Sequence, residues 1–196
     1  MAETEFQKAV FRSLGSIKRG YKIDVEVPVP YQHVYLRKDE ETILQIWCFK
    51  QDIAIYKPLF DNSVPKKVAE IIPSDKSKIQ IELERGGAKR EKDVALPYVI
   101  IETKDKQPIV HEVLTYSRKA EMIKTIFPYC KYVFCIYKKI DPRTYRHGIA
   151  FDEIIKITNI RNKKEIQSFK RVIIKLIKKA EQDLKSISPN KERTKG

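Results

Sequence analysis

The stretch from Tyr98 to Lys104 constrains the fold of this chain more than any other. Tyr98-Val-Ile-Ile101 is a short β-branched and aromatic run preceded by Pro97, a pattern typical of a strand inside a sheet. The run continues directly into Glu102-Thr-Lys104. Because successive strand side chains alternate between faces, Glu102 and Lys104 must share one face. Two charges at the end of a buried strand are costly unless they pair, bind an ion or reach solvent.

Asp93 is the acidic residue that we expect to join this pair, since it lies nine residues before Glu102. Val94 to Leu96 would form a short strand, and a tight reversal at Pro97 would return the Asp93 carboxylate to Glu102. Converging carboxylates repel one another, and Mg²⁺, a hard cation with a preference for oxygen, is the usual neutraliser. This pattern predicts a site for phosphodiester hydrolysis, in which Lys104 steers the attacking water or balances charge.

The order aspartate, gap, glutamate, any residue, lysine resembles the signature of the PD-(D/E)xK nuclease superfamily, which includes the restriction endonucleases. The resemblance implies that Asp93 and Glu102 bind the metal and that Lys104 is the catalytic lysine. The residue before the aspartate is a lysine here rather than the proline of the signature. Acidic-x-basic triplets recur at 141–143 and 183–185, but only the copy at Glu102 ends a buried-strand pattern.

Two alternatives to this assignment stay open. Asp52 precedes the apolar run Ile53-Ala-Ile55 and could be the first aspartate of the signature in place of Asp93. Glu102 and Lys104 could also form a plain salt bridge at the strand end.

Two further acids are candidate metal ligands. Glu5 lies in the first turn of the first predicted helix, where the helix dipole favours acids in any case. Glu84 could approach the metal from a neighbouring strand, or lie on the solvated face of that strand.

The charge balance predicts a polyanionic partner. The chain has 40 Lys and Arg against 26 Asp and Glu, a net charge of +14, and a pI near 9.6. Nucleic acid is the first candidate and an anionic membrane the second, although a lysine-rich composition also serves solubility alone, and the resemblance implies that the nucleic acid is DNA. The expected phosphate contacts are Arg85, Lys89, Arg90, Lys92, Arg118, Lys119, Arg143 and Arg146.

Hydrophobic periodicity predicts an α/β protein of one domain, residues 1–196. Strict alternation after Tyr21 indicates a strand whose edge or end is marked by Pro28 and Pro30. The other predicted elements are a helix at 4–18, a strand meander at 31–57, a short helix at 65–72, a strand at 79–83, a helix from Pro108 to Phe127, a strand at 132–137, a loop at 141–148 and a long basic helix at 166–184.

The resemblance implies a restriction-endonuclease-like core, with a mixed central β-sheet flanked by helices in the order α-β-β-β-α-β. Around that core we expect extra N-terminal strands, a variable elaboration at 31–78, a long C-terminal helix and a flexible tail at 188–196. The Gln-x-x-x-Tyr pair that one subgroup carries on its second helix is absent.

Three cysteines, Cys48, Cys130 and Cys135, predict buried thiols of a cytoplasmic protein, and no apolar run is long enough to span a membrane.

We expect an endodeoxyribonuclease of the restriction type that uses Mg²⁺, for which Mn²⁺ could substitute, with no small-molecule cofactor. Symmetric cleavage of both strands would require a homodimer, with the C-terminal helix as the candidate interface. The alternatives are a non-catalytic nucleic-acid-binding protein on the same fold, and a basic structural or membrane-surface protein.

Overall fold

A mixed β-sheet with helices on both faces organises the chain in this computed structural model, which describes residues 3–17, 20–38, 41–58, 69–73 and 95–187. The helices are α1 (Glu3–Ser13), α2 (Val110–Ile126), α3 (Pro142–His147) and α4 (Lys163–Ile187), and a short 3-10 turn, Leu14–Ser16, follows α1. The strands are β1 (Lys22–Lys38), β2 (Glu41–Pro58), β3 (Ala69–Pro73), β4 (Ala95–Lys104), β5 (Lys131–Tyr137) and β6 (Glu153–Ile157).

The order of strands across the sheet is β1, β2, β4, β5, β6, and β3 pairs separately with β2. β2 runs antiparallel to its neighbours β1 and β4, whereas β4, β5 and β6 run parallel to one another. The chain reaches β5 from β4 through α2, which is the strand, helix and strand unit predicted from the sequence.

β4 lies in the middle of the sheet and is buried on both faces. Val99 and Ile101 pack in one apolar cluster with α1 and α4, through Phe6 and Ile173 for example. Ile100 packs in a second cluster, which contains Ala120 of α2. Full burial of each large aliphatic side chain stabilises the fold by about 1.5–3 kcal/mol. This two-sided burial explains why the strand reads as a continuous apolar run.

The first two strands are longer than the sequence predicted. β1 passes through Pro28 and Pro30, so the predicted sheet edge is confirmed and the predicted strand end is wrong. A proline can occupy an edge strand because its missing N–H need not face a partner. The region predicted as a meander, 31–57, is strand over its described part, but its first strand belongs to β1 and the two that follow are one strand, β2, which pairs with β1 from Tyr56 to Glu41.

Two local predictions are overturned. The reversal predicted at Pro97 does not exist, because β4 continues from Ala95 to Lys104 and absorbs the proline at an irregularity in its pairing with β2. The helix predicted at 65–72 is wrong over its described part, which is strand β3. Its isoleucines instead extend the sheet beside β2.

The loop predicted at 141–148 contains helix α3. Asp141 caps this helix by accepting a hydrogen bond from the Arg143 backbone N–H at 2.8 Å. Pro142 at the first helical position needs no hydrogen-bond partner there.

Several predicted features lie outside the described residues. They are the strand at 79–83, the tail at 188–196, and the residues Glu84, Arg85, Lys89, Arg90, Lys92 and Asp93.

The three cysteines are buried free thiols, as predicted. Within the described part of the chain, no helix is both long and apolar enough to cross a membrane.

Candidate active site

The carboxyl end of β4 places Glu102 beside Asp52 of the neighbouring strand β2. The ladder between the two strands ends with Ile53 opposite Ile101, one residue short of both acids. Beyond that rung, the Thr103 backbone N–H donates to Asp52 Oδ2 at 2.8 Å, and the Thr103 hydroxyl donates to the same oxygen at 2.7 Å. These two hydrogen bonds hold the Asp52 carboxylate at the end of β4.

β1 and β2 are irregular beside Asp52, and the irregularity turns Gln51 towards Tyr132. Regular alternation would place Gln51 and Ile53 on one face, but Ile53 packs with α1 and α4, whereas Gln51 contacts Tyr132 on the α2 side. The pairing of Val25 with Ile53 and of Val27 with Gln51 passes over Glu26, whose φ is 53°. The register of the two strands is the same on both sides of this point, so neither strand carries an extra residue there.

The Glu102 carboxyl is buried and in contact with a second carboxyl. Its residue is 2% exposed, and its side chain is within hydrogen-bonding contact of the Asp52 side chain. Burial, and then the Asp52 charge, raise the pKa of Glu102 to about 8, while Lys119 and the Tyr132 hydroxyl act in the opposite direction. At neutral pH without a cation, Glu102 is therefore mainly the neutral acid.

Tyr132 links Glu102 to a buried amide. Its hydroxyl lies 3.1 Å from Glu102 Oε1 and 2.8 Å from Gln51 Oε1. A phenol has one proton and can donate to only one of the two oxygens at a time. Gln51 is fully buried, and its Nε2 has no hydrogen-bond partner in the described part of the chain. The network can therefore shift a proton or a hydrogen bond when the charge on Glu102 changes.

Lys104 is held on the same side of the sheet by α2. Its Nζ lies 3.2 Å from Glu112 Oε1 and 5.5 Å from the centre of the Tyr116 ring, and its side chain is 14% exposed. Glu112 also accepts a hydrogen bond from the Ile109 backbone N–H at 3.0 Å, which anchors it at the start of α2. The ammonium group is thus positioned before any substrate arrives.

Sequence reasoning missed the contribution of α2 to the site. The Gln-x-x-x-Tyr pair is absent, as noted, but Glu112 and Tyr116 have the same spacing and both contact Lys104. Residues four apart on a helix face the same side, so the signal was present in the spacing. Gln51 and Tyr132 had no comparable signal, because their meeting depends on the pairing of distant strands.

Asp52 and Glu102 suit a magnesium ion by the chemistry of their oxygens. Mg²⁺ is often bound by one or two carboxylates, with water and substrate phosphate oxygens completing its coordination. The described residues contain no cluster of three or more His, Cys, Asp or Glu side chains that could hold a metal. Glu5 is exposed in the first turn of α1 and is not part of such a cluster.

The predicted phosphate contacts divide into two groups among the described residues. Lys119 lies on the site side of α2, where its charge acts on Glu102 and its Nζ is 5.2 Å from the Tyr116 ring centre. The others are exposed: Arg118 pairs with Glu121 at 2.9 Å, Arg143 pairs with Asp141 at 2.8 Å, and Arg146 is on α3. Of the predicted contacts that the structure describes, only Lys119 belongs to the surroundings of Glu102.

Comparison with protein-family models found none that matches this chain, and comparison with curated proteins found no match. The geometry at the end of β4 is therefore the feature of this protein that bears on its function. That geometry consists of two carboxyls in contact and a lysine fixed on the same side of the sheet.

Proposed function

We propose that this protein is a metal-dependent nuclease that hydrolyses phosphodiester bonds in DNA, with Asp52 and Glu102 as metal ligands and Lys104 as the catalytic lysine. One observation carries the proposal: the Asp52 carboxyl is in contact with the buried Glu102 carboxyl at the end of the strand that bears Lys104. Asp52 takes the role that the sequence pattern favoured for Asp93, which lies outside the described residues.

A purely structural role does not explain the two acids, because at this position they cost stability. Burial of a carboxyl costs free energy unless the group is paired, and a second carboxyl in contact adds repulsion once both are ionised. A core position at the end of an apolar strand would be more stable with an apolar residue. A strongly raised pKa beside specific charged groups is typical of functional sites.

Each polar group has a role in the proposed reaction. When bound, Mg²⁺ would lower the pKa of its water and stabilise the charge that develops on the phosphate. Thr103 fixes Asp52 through two hydrogen bonds, and Tyr132 orients Glu102. Lys104, held by Glu112, is placed to orient the attacking water or to neutralise a phosphate oxygen.

The order of elements supports a restriction-endonuclease-like core. α1, the antiparallel strands β1, β2 and β4, helix α2 and the parallel strand β5 follow the order α-β-β-β-α-β, with β3 as an insertion. In this arrangement the two acids come from adjacent strands and the lysine from the second of them. Asp52 fits that arrangement because β2 pairs directly with β4.

A second candidate function is a non-catalytic nucleic-acid-binding protein on the same fold. It is favoured by the ion pair of Lys104 with Glu112, which already uses the charge that a substrate would need. The net charge of +14 supports either function.

Cleavage of supercoiled plasmid DNA in the presence of Mg²⁺ tests the proposal. We expect the wild-type protein to nick or linearise the plasmid, and D52N, E102Q and K104A to lose at least about a hundredfold of that rate, since each removes a ligand or a charge at the scissile phosphate. D93N is the matched control and should cleave normally.

The outcomes separate the candidates. Loss of cleavage in D93N with normal cleavage in D52N would show that Asp93, rather than Asp52, is the metal ligand. Metal-independent retardation of the plasmid, without any cutting by the wild-type protein, would favour the non-catalytic function. A parallel reaction on single-stranded RNA decides the class of nucleic acid.

A further inference from the structure

Helix α4 presents a line of basic side chains to solvent, which we call the basic stripe. Its buried side consists of Phe169, Ile173, Leu176, Ile177 and Ala180, which pack in the core. The stripe consists of the exposed cations Lys164, Arg171, Lys175, Lys178, Lys179 and Lys185, and the first three steps along it are seven, four and three residues long. The positions follow the period of the helix, so most of these charges lie along one side of it.

The acidic residues of α4 are engaged elsewhere and leave the basic stripe uncompensated. Glu165 accepts hydrogen bonds from Thr158 and Asn159 in the turn that precedes the helix. Glu181 accepts a hydrogen bond from the Tyr21 hydroxyl, and Asp183 pairs with Lys131.

The central cations of the stripe have one another as charged neighbours. Arg171, Lys175 and Lys178 form no ion pair with any residue in the ranges that the structure describes. Arg171 and Lys175 are four residues apart, and Lys175 and Lys178 are three apart, so like charges adjoin on the helix surface. Each such pair destabilises the helix by about 0.2–0.5 kcal/mol. A face that only needs solvation usually alternates the signs of its charges, whereas a polyanion would offset this repulsion.

Nucleic acid fits the basic stripe better than a membrane or a second copy of the chain. The apolar side of α4 is already buried in the core, and only Ile174 and Ile187 are exposed large hydrophobic residues on this helix, so it cannot insert into a bilayer. A symmetric contact between two copies would bring equal charges together. From Lys164 to Lys185 the stripe is about 31 Å long at ~1.5 Å per residue, close to one turn of B-form DNA at about 34 Å.

We propose that the basic stripe is a surface for the phosphate backbone of duplex DNA, separate from the candidate active site. Most of α4 packs with α1 against Val99 and Ile101, whereas Glu102 contacts Tyr132 and lies under α2, on the other side of the sheet. The stripe therefore holds a segment of duplex other than the one at Glu102. This inference concerns binding and does not depend on cleavage.

Equilibrium binding of a fluorescent DNA duplex, measured by anisotropy in EDTA over a series of NaCl concentrations, tests the inference without any cleavage. The variant R171Q/K175Q/K178Q removes three charges from the stripe, and the matched control K139Q/K156Q/R161Q removes three exposed charges outside it. The control therefore accounts for the change in net charge alone.

We expect the stripe variant to bind at least tenfold more weakly at about 0.1 M salt. The slope of log K against log salt should be shallower by roughly 2 to 3, at ~0.9 for each lost phosphate contact. The control should stay within about threefold of wild type. The single variants K175Q and K178Q should each reduce the slope by about one, which keeps the test open if the triple variant is unstable.

Three results would overturn the inference. The first is an equal loss of affinity in the stripe variant and the control. The second is stripe-dependent binding of phosphatidylserine vesicles without stripe-dependent binding of DNA. The third is a change in oligomeric state, measured by sedimentation, in the stripe variant. If DNA binds through the stripe but plasmid is never cut, the proposed nuclease function is wrong, whereas the inference that the basic stripe binds DNA still holds.

Discussion

At the scale of the residue, Glu102 combines two properties that are compatible only if its charge can change. It is buried enough to be neutral without a cation, and its contact with Asp52 suits it to bind one. Asp52 shows the limit of reasoning from sequence at this scale. Its distance of 50 positions from Glu102 made it the second choice, yet strand pairing made the two adjacent.

The raised pKa of Glu102 predicts how stability depends on pH in the metal-free protein. Burial and Asp52 raise the pKa to about 8 from an ordinary value near 4.5, so between these values the folded state binds more protons than the unfolded state. The contribution of Glu102 to the free energy of unfolding must therefore fall as pH rises from about 4.5 to about 8, by at most about 1.4 kcal/mol per pH unit.

Urea unfolding of the wild type and of E102Q in EDTA measures this contribution. The amide cannot ionise, so the stability of the wild type relative to E102Q should decline steadily across that pH interval. Mg²⁺ should stabilise the wild type more at higher pH, since it binds the ionised carboxyl. A difference between the two proteins that is constant with pH would contradict the prediction.

At the scale of the element, periodicity identified the long, strongly patterned segments. α2, β5 and α4 lie where their apolar spacing predicted them, because one buried face is enough to specify a helix or a strand. The short segment at 69–73 and the behaviour of Pro97 were wrong, because neighbouring strands decided them. Local propensity is a weak guide where pairing partners are distant in sequence.

The start of α4 depends on a cap that periodicity alone did not reveal. Asn162 Oδ1 accepts hydrogen bonds from the backbone N–H groups of Lys164 and Glu165, at 3.0 and 3.4 Å. The cap explains why the helix begins at Lys163 rather than at 166 as predicted.

We expect N162A to lower the free energy of unfolding by about 1 kcal/mol, because two N–H groups lose their acceptor. N162D keeps an acceptor at the same position and should remain near the wild type. Thermal unfolding followed by circular dichroism compares the three proteins. A stability of N162A equal to that of N162D would show that the cap does not matter.

At the scale of the whole molecule, an ion pair joins the end of α4 to the sheet. Lys131 Nζ, at the start of β5, lies 2.5 Å from Asp183 Oδ2 in the last turns of α4, and the lysine side chain is only 7% exposed. Two residues earlier along α4, Glu181 accepts a hydrogen bond from the Tyr21 hydroxyl. These two contacts attach the far end of the longest helix to elements more than 50 residues away in sequence.

D183N should destabilise the protein by about 1–3 kcal/mol, because it leaves the buried Lys131 ammonium without its counter-charge. The double variant K131M/D183L removes both charges and should recover much of the loss. Urea unfolding at neutral pH measures all three proteins. Equal stability of D183N and the wild type would mean that water stabilises the Lys131 ammonium as well as the Asp183 carboxylate does.

By itself, the sequence determined the α/β class, the central buried strand, the side-by-side placement of Glu102 and Lys104, and the basic character of the long C-terminal helix. These follow from patterns of period 2 and 3.6, which depend only on nearby residues. Only the tertiary structure decided that Asp52 meets Glu102, that α2 supplies Glu112 to Lys104, and that the acids of α4 turn away from its cations. Such contacts depend on strand register and helix packing, which bring together residues whose separation along the chain carries no periodic signal.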